Sequence, residues 1–308
     1  MRTVQNYFLL TLICLTGLLQ AAPYNIGVIP KSTAMKFWEE VREGAKTAGE
    51  ELDANVIWSG PRQENQSQAG YIKRMLKTEL INAIVIAPSH QTELQLVLQD
   101  VINQNIKLVV IDSAINDVNY DSFIATDNYR AGTKAADFMA KFLGENSNVA
   151  VIRFRKGNAS TEARETGFIH TLKNNVKVNI VFEDYLGPST GSVYHEVIKL
   201  LNARHNIDGF FTPNEATTEG LLRAIYKIET TKVPVIIGFD SNEFLDEGLK
   251  KNMLKGLVVQ QPFQMGYLGV KTAVSLLKGK KVKKKIFLPT KVITASDLIQ
   301  KEQSINSQ

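Results

Sequence analysis

An α/β fold of two doubly wound, parallel-sheet lobes is predicted from three observations on this 308-residue chain. Short β-branched apolar runs alternate with amphipathic segments almost without interruption. The apolar runs are near-continuous rather than alternating, which is the pattern of strands covered on both faces. There are also too many of them for one comfortable sheet of this kind, so the pattern divides into two lobes. Composition agrees: 44% hydrophobic and 22% charged residues is an ordinary globular balance, over a length that suits two domains.

The first strand reads "YNIGVI" (24–29) and runs into Pro30, Lys31 and a polar loop. Phe37 and Trp38 follow at the mouth of a charged helix. Its apolar positions Val41, Ala45, Ala48 and Leu52 recur at helical spacing, with Glu39, Glu40, Arg42, Glu43 and Lys46 between them. Strands "NVIWSG" (55–60), "AIVIAP" (83–88) and "KLVVID" (107–112) complete the first series. The pattern restarts at "FIATD" (123–127), which leads into a helix near 129–144. "NVAVIRF" (148–154), "NIVFEDY" (179–185), "GFFTPN" (209–214), "PVIIGFD" (234–240) and "GLVVQQ" (256–261) follow, each with a helix between. A last helix near 263–278 precedes the strand-like run "KIFLPTKVIT" (285–294). The halves share a period but no close sequence repeat.

The amino terminus has a different character. Arg2, an apolar stretch from Tyr7 to Leu19, then Ala21 and Ala22 are the layout of a secretory signal peptide, removed near Ala21. The stretch is short for a membrane span. Cys14, the single cysteine, lies inside it, and Ile13 stands where a lipoprotein signal requires a small residue. The mature chain therefore carries no cysteine and relies on its core alone. That combination suits the periplasm of a Gram-negative bacterium better than a eukaryotic secretory route.

Charge excludes little. The net charge of +5 reads as a mildly basic surface, and "KGKKVKKK" (278–285) as a solvated turn after the last helix. An export signal argues against nucleic acid as a partner. No P-loop, glycine fingerprint or nucleophile elbow is present. His90, His170, His195 and His205 lack ligand spacing, so no metal, cofactor or catalytic residue is expected. An exported α/β hydrolase remains the enzymatic alternative.

In open α/β sheets ligands bind beyond the carboxyl ends of the strands. The residues that end the runs here are Lys31, Ser59, Pro88, Asp112, Asp127, Tyr185, Asn214, Asp240 and Gln260. Many carry planar polar groups able to form two hydrogen bonds, which suits binding and catalysis alike.

The runs "VIPKSTAMKFWEEVREGA", "VVIDSAI", "FIATDNYRAG", "ASTEARETGF", "FFTPNEATTEGLLRA", "IIGFDSNEFLDEGLKKN" and "GLVVQQPFQMGYLGVKTAV" occur in order over nearly the whole mature chain. Together they resemble the periplasmic sugar-binding proteins of ABC transporters, the ribose-binding-protein-like type I group. The resemblance implies a first lobe of residues 22–126 plus 262–288 and a second of 127–261 plus 289–308. It implies three crossing strands as the hinge, a ligand in the cleft, and delivery of a sugar to a membrane ABC permease by a monomer. It leaves a sensory role beside a membrane kinase or chemoreceptor open.

Sugars offer C–H faces to aromatic rings and hydroxyl edges to planar polar groups. Phe37 and Trp38 are expected as an aromatic wall. Asp112, Arg164, Asn214, Asp240 and Gln260 match family positions that bond sugar hydroxyls. Each also has a simpler role to weigh: Asp112 and Asp240 suit caps of following helices, Arg164 suits surface pairing with Glu162 or Glu165, and Asn214 suits a turn. The chain departs from the ribose binders at Ser113, Met35 and Lys31. Lys31 is expected near the cleft mouth, where it suits a sugar acid, a phosphorylated sugar, a neutral hydroxyl or a pair with Asp240.

Overall fold

The computed structural model describes residues 24–306 apart from 65, 79, 176, 204–205 and 229–232. The signal peptide, Cys14 and His205 lie outside the described residues.

Two six-stranded sheets are built in turn. The first contains β1 (Tyr24–Ile29), β2 (Ala54–Trp58), β3 (Ala83–Ile86), β4 (Lys107–Ile111), β5 (Ser122–Thr126) and β11 (Lys285–Leu288), in the order β11-β5-β4-β3-β1-β2. All its pairings are parallel. The second contains β6 (Asn148–Arg153), β7 (Asn179–Tyr185), β8 (Gly209–Phe211), β9 (Val235–Phe239), β10 (Gly256–Val259) and β12 (Lys291–Ile293), in the order β12-β10-β9-β8-β6-β7. Only β12 runs antiparallel there.

Helices cover both faces of each sheet, which is why the central strands are apolar throughout. On the first sheet α1 (Lys36–Leu52) and α9 (Pro262–Leu277) pack one face, and α2 (Ala69–Thr78) and α3 (Gln95–Asn103) the other. On the second, α4 (Asn128–Met139) and α5 (Ala159–Asn175) face α6 (Thr190–Ala203), α7 (Glu215–Ile228) and α8 (Glu243–Lys250) across the sheet. Of the predicted α1 stripe, Val41, Ala45 and Ala48 are fully buried and Leu52, at the helix end, is partly buried.

The chain passes from the first sheet to the second after β5, returns after β10, and crosses again between β11 and β12. The run 285–294 is thus two strands rather than one. Pro289 has no N–H to give a ladder, so the strand breaks there and its halves join different sheets. The helix expected near 129–144 stops at Met139. A terminal helix, α10 (Ala295–Asn306), was not anticipated; it packs on α8 and β12. The basic run ends in β11, an edge strand, where lysines discourage pairing with other chains. Among the described residues no helix is long and apolar enough to cross a membrane.

Candidate ligand-binding cleft

All eight sequence-predicted residues, Lys31, Phe37, Trp38, Asp112, Arg164, Asn214, Asp240 and Gln260, line one cavity of about 400 Å³ between the two sheets' carboxyl ends. Ser59, Pro88, Asp127 and Tyr185 do not line it. Asp127 instead caps α4, accepting from the Arg130 N–H at 3.2 Å.

Phe37 and Trp38 are both core and wall. They belong to the cluster between α1 and the first sheet, and also border the cavity. Their rings meet edge to face at 4.8 Å, which fixes each against the other.

Lys31 is not at the mouth. It is 2% exposed, and four oxygens surround its Nζ: Asp112 Oδ2 at 2.6 Å, Ser113 Oγ at 2.6 Å, Ser160 Oγ at 3.1 Å and Asn158 Oδ1 at 3.3 Å. An ammonium buried this deeply requires such partners, since desolvation of a lone cation is prohibitive. Its pair is Asp112, not Asp240. Because Asn158 and Ser160 belong to the second lobe, the lysine ties the two lobes together. Ser113 adds to the tie through Ser160 Oγ at 2.8 Å.

Arg164, 2% exposed, pairs with neither Glu162 nor Glu165. Its Nε donates to Asn128 Oδ1 (2.8 Å), one terminal nitrogen to the Pro213 carbonyl (2.8 Å) and the other to Gln260 Oε1 (2.7 Å). The guanidinium lies over the Phe239 ring, 4.7 Å from its centre. Glu165 pairs with Arg153 at 2.7 Å instead.

Gln260 closes the crossing. It accepts from Thr126 Oγ1 at 2.7 Å and donates to Asp240 Oδ1 at 2.7 Å, so it links the ends of β5, β9 and β10. Asp240 also accepts from the Glu215 N–H at 3.1 Å. Burial pushes its carboxyl up, and the Arg164 charge acts against that. Asn214 has the simpler role in part: its Oδ1 caps α7 through the Thr217 N–H at 3.1 Å, while the residue also lines the cavity.

Several cavity-lining residues escaped the sequence reading, Glu215, Glu64 and Asn158 among them. Glu215 reaches across to accept from the Phe37 N–H at 3.1 Å and the Lys36 N–H at 3.4 Å. These are the first N–H groups of α1, whose own N-cap, Met35, provides no side-chain cap. Burial pushes Glu215 up to about 7, against the Asn242 amide and those N–H groups. Glu64, from the loop after β2, and Asn158, before α5, each place a buried polar atom here without a partner. The only sequence signal for them was charge or amide near a strand end, which many surface loops share.

A two-lobed frame with an aromatic wall and a ring of planar polar groups from both lobes defines a cleft-type binding protein. The chain belongs to the periplasmic binding protein domain family, whose model matches residues 26–281. It is 25% identical over 271 residues to a ribose import binding protein of Bacillus subtilis, covering 88% of this chain and 87% of that protein. To a D-allose-binding periplasmic protein of Escherichia coli it is 26% identical over 292 residues, covering 90% and 92%. Among solved structures it resembles the periplasmic component of a sugar transport system from Hahella chejuensis, with TM-score 0.85, 31% identity, and 88% and 99% of the chains covered. A solute-binding protein from Agrobacterium vitis with bound D-fucose gives TM-score 0.85, 32% identity, and 89% and 96% covered. The family consists of substrate-binding proteins, so the chain is not an enzyme.

Proposed function

We propose that the chain captures a sugar or sugar-like molecule in the interlobe cleft and delivers it to a membrane ABC permease. The observation that carries this reading is the convergence of residues from distant segments on one cavity of about 400 Å³, within the range of small-molecule sites. Phe37 and Trp38 stack on the ring's C–H face, while Asp112, Arg164, Asn214, Asp240 and Gln260 meet its hydroxyls. Lys31 and Asp112 act on the ligand as a pair. The lobes, 22–126 plus 262–288 and 127–261 plus 289–308, bend at the three crossings, and ligand locks them closed. The first 21 residues direct the chain to the periplasm and are removed, and the mature protein works as a monomer without nucleic acid. Relatives named for ribose and D-allose, and a structural neighbour holding D-fucose, support the ligand class.

The test is a thermal-shift screen of residues 22–308, freed of carried-over ligand, against pentoses, hexoses, inositols, sugar acids and sugar phosphates. A ligand bound only by the folded state raises the midpoint. A large shift confined to one stereochemical series is expected. Absence of any shift from a folded sample would overturn the reading.

A further inference from the structure

We propose that Glu64 is a specificity-determining contact of the cleft: its Oε2 accepts a hydrogen bond from a ligand hydroxyl, and this corner prefers an uncharged hydroxyl to a carboxylate or phosphate. The inference rests on the sugar-binding reading and adds a residue to it.

Glu64 Oε2 is buried and has no hydrogen-bond partner, although its residue lines the cavity. The other oxygen takes only a long bond, 3.4 Å, from the Trp38 indole. A buried carboxylate oxygen left unpaired is costly, so a donor is missing from this corner. The loop holding it is not loose. The Arg62 carbonyl accepts from Ser32 Oγ at 2.7 Å, and the Arg62 and Gln63 N–H groups donate to Gln66 Oε1 at 3.0 and 3.2 Å. The Glu64 carbonyl itself accepts from Arg155 at 3.0 Å, a bond from the opposite lobe. Glu64 is therefore positioned when the cleft is closed.

The neighbouring charges do not supply the donor. Lys31 is engaged by Asp112 and three further oxygens, and the terminal nitrogens of Arg155 donate to the Glu64 and Ser89 carbonyls. Arg164 has a partner on every nitrogen. Arg155 Nε is also buried without a partner, but Arg155 does not line the cavity; of the lining atoms, an acceptor, Glu64 Oε2, and a donor, Asn158 Nδ2, remain without any partner. A hydroxyl donates and accepts, which answers both kinds of vacancy; a carboxylate or phosphate only accepts and would face Glu64 as a like charge.

The experiment is calorimetric titration of the wild type, Glu64→Gln and Glu64→Ala. The ligands are D-ribose, D-arabinose, D-fucose, D-allose and D-galactose, D-galacturonate, D-ribose 5-phosphate, and the monodeoxy analogues of the best neutral sugar. The wild type is expected to bind a neutral sugar at least tenfold tighter than the acid or phosphate. Glu64→Ala should weaken that sugar about 10- to 100-fold, and Glu64→Gln by less. At one ring position, loss of the hydroxyl should weaken the wild type about 10-fold or more and Glu64→Ala less than about twofold. Equal deoxy penalties in both proteins at every position, or tighter binding of D-galacturonate than of D-galactose, would overturn the proposal and leave the sugar reading standing. No binding of any sugar by the folded wild type would overturn the sugar reading, and the proposal with it. The unliganded melting points of both variants verify folding, and Glu64→Gln carries the test if Glu64→Ala does not fold.

Discussion

Asp112 directly follows strand β4 and Asp240 directly follows strand β9, and the two positions share a backbone conformation. Both aspartates adopt left-handed conformations, with φ of 62° and 66°. Each N–H donates at 3.0 Å to a carbonyl of the neighbouring strand, Ile124 in one sheet and Val258 in the other. A serine follows each, Ser113 and Ser241. The side chains then diverge. Asp112 meets a buried ammonium at 2.6 Å, whereas Asp240 meets two neutral donors, the Gln260 amide and the Glu215 N–H. The same local frame delivers a carboxylate to each lobe, and the facing elements decide whether it becomes half of a direct ion pair or an acceptor from neutral donors, with the Arg164 charge one residue removed. A second parallel reinforces the point. The α1–α9 crossing relies on Gly44 and Gly266, where an added Cβ would lie 1.9 Å from a backbone oxygen of the other helix. The α4–α5 crossing relies on Gly132 and Gly167 in the same way, at 2.0 and 2.1 Å.

The largest expected effect tests the ion pair. Lys31→Met leaves Asp112 buried without a counter-charge and should cost about 3–5 kcal/mol in chemical denaturation. Arg164→Ala belongs with it. The three bonds of its guanidinium make Arg164 part of the frame as well as of the site, so the unliganded protein should lose stability too. Gly132→Ala comes next, at about 3 kcal/mol, because its Cβ would strike the Arg164 carbonyl, which cannot swing aside as a side chain does. Gly44→Ala should match it if the two crossings are equivalent, and a difference above about 1 kcal/mol would separate the lobes.

A smaller effect is set by pH. Glu215 has a folded value of about 7 against an ordinary 4.5. Between those values the folded, closed form holds the proton that the unfolded chain lacks. The contribution to stability is therefore full below about 4.5 and lost as pH rises through about 7. The melting midpoint should fall by about 3–5 °C from pH 5.5 to 8, and Glu215→Gln should flatten that slope. The smallest change in unliganded stability is expected from Asp240→Asn. It keeps one acceptor and loses one bond, at about 1 kcal/mol, while ligand-induced stabilisation should fall sharply. If Asp240→Asn destabilised the unliganded protein as much as Lys31→Met, the contrast between the two aspartates would collapse.

Much of this was legible in the chain. Near-continuous apolar runs such as "AIVIAP" and "KLVVID" announced parallel strands because a strand buried on both faces tolerates no polar side chain. The spacing in α1 announced its buried face. Asp112, Asn214 and Asp240 were visible as candidates because they close the strand-like runs of the sequence, and the carboxyl ends of strands in such folds open on the cleft. These are local facts, readable from neighbours in sequence.

What the tertiary structure alone decided is which of these groups meet. Lys31 is 82 residues from Ser113 and 127 from Asn158, and Phe37 is 178 from Glu215. No local pattern encodes such encounters, and Glu64 was passed over as one more charge in a polar loop. The physical reason is desolvation. A side chain's type states what bonds it can make, but burial decides which bonds it must make, and burial exists only once both lobes face each other across the cleft.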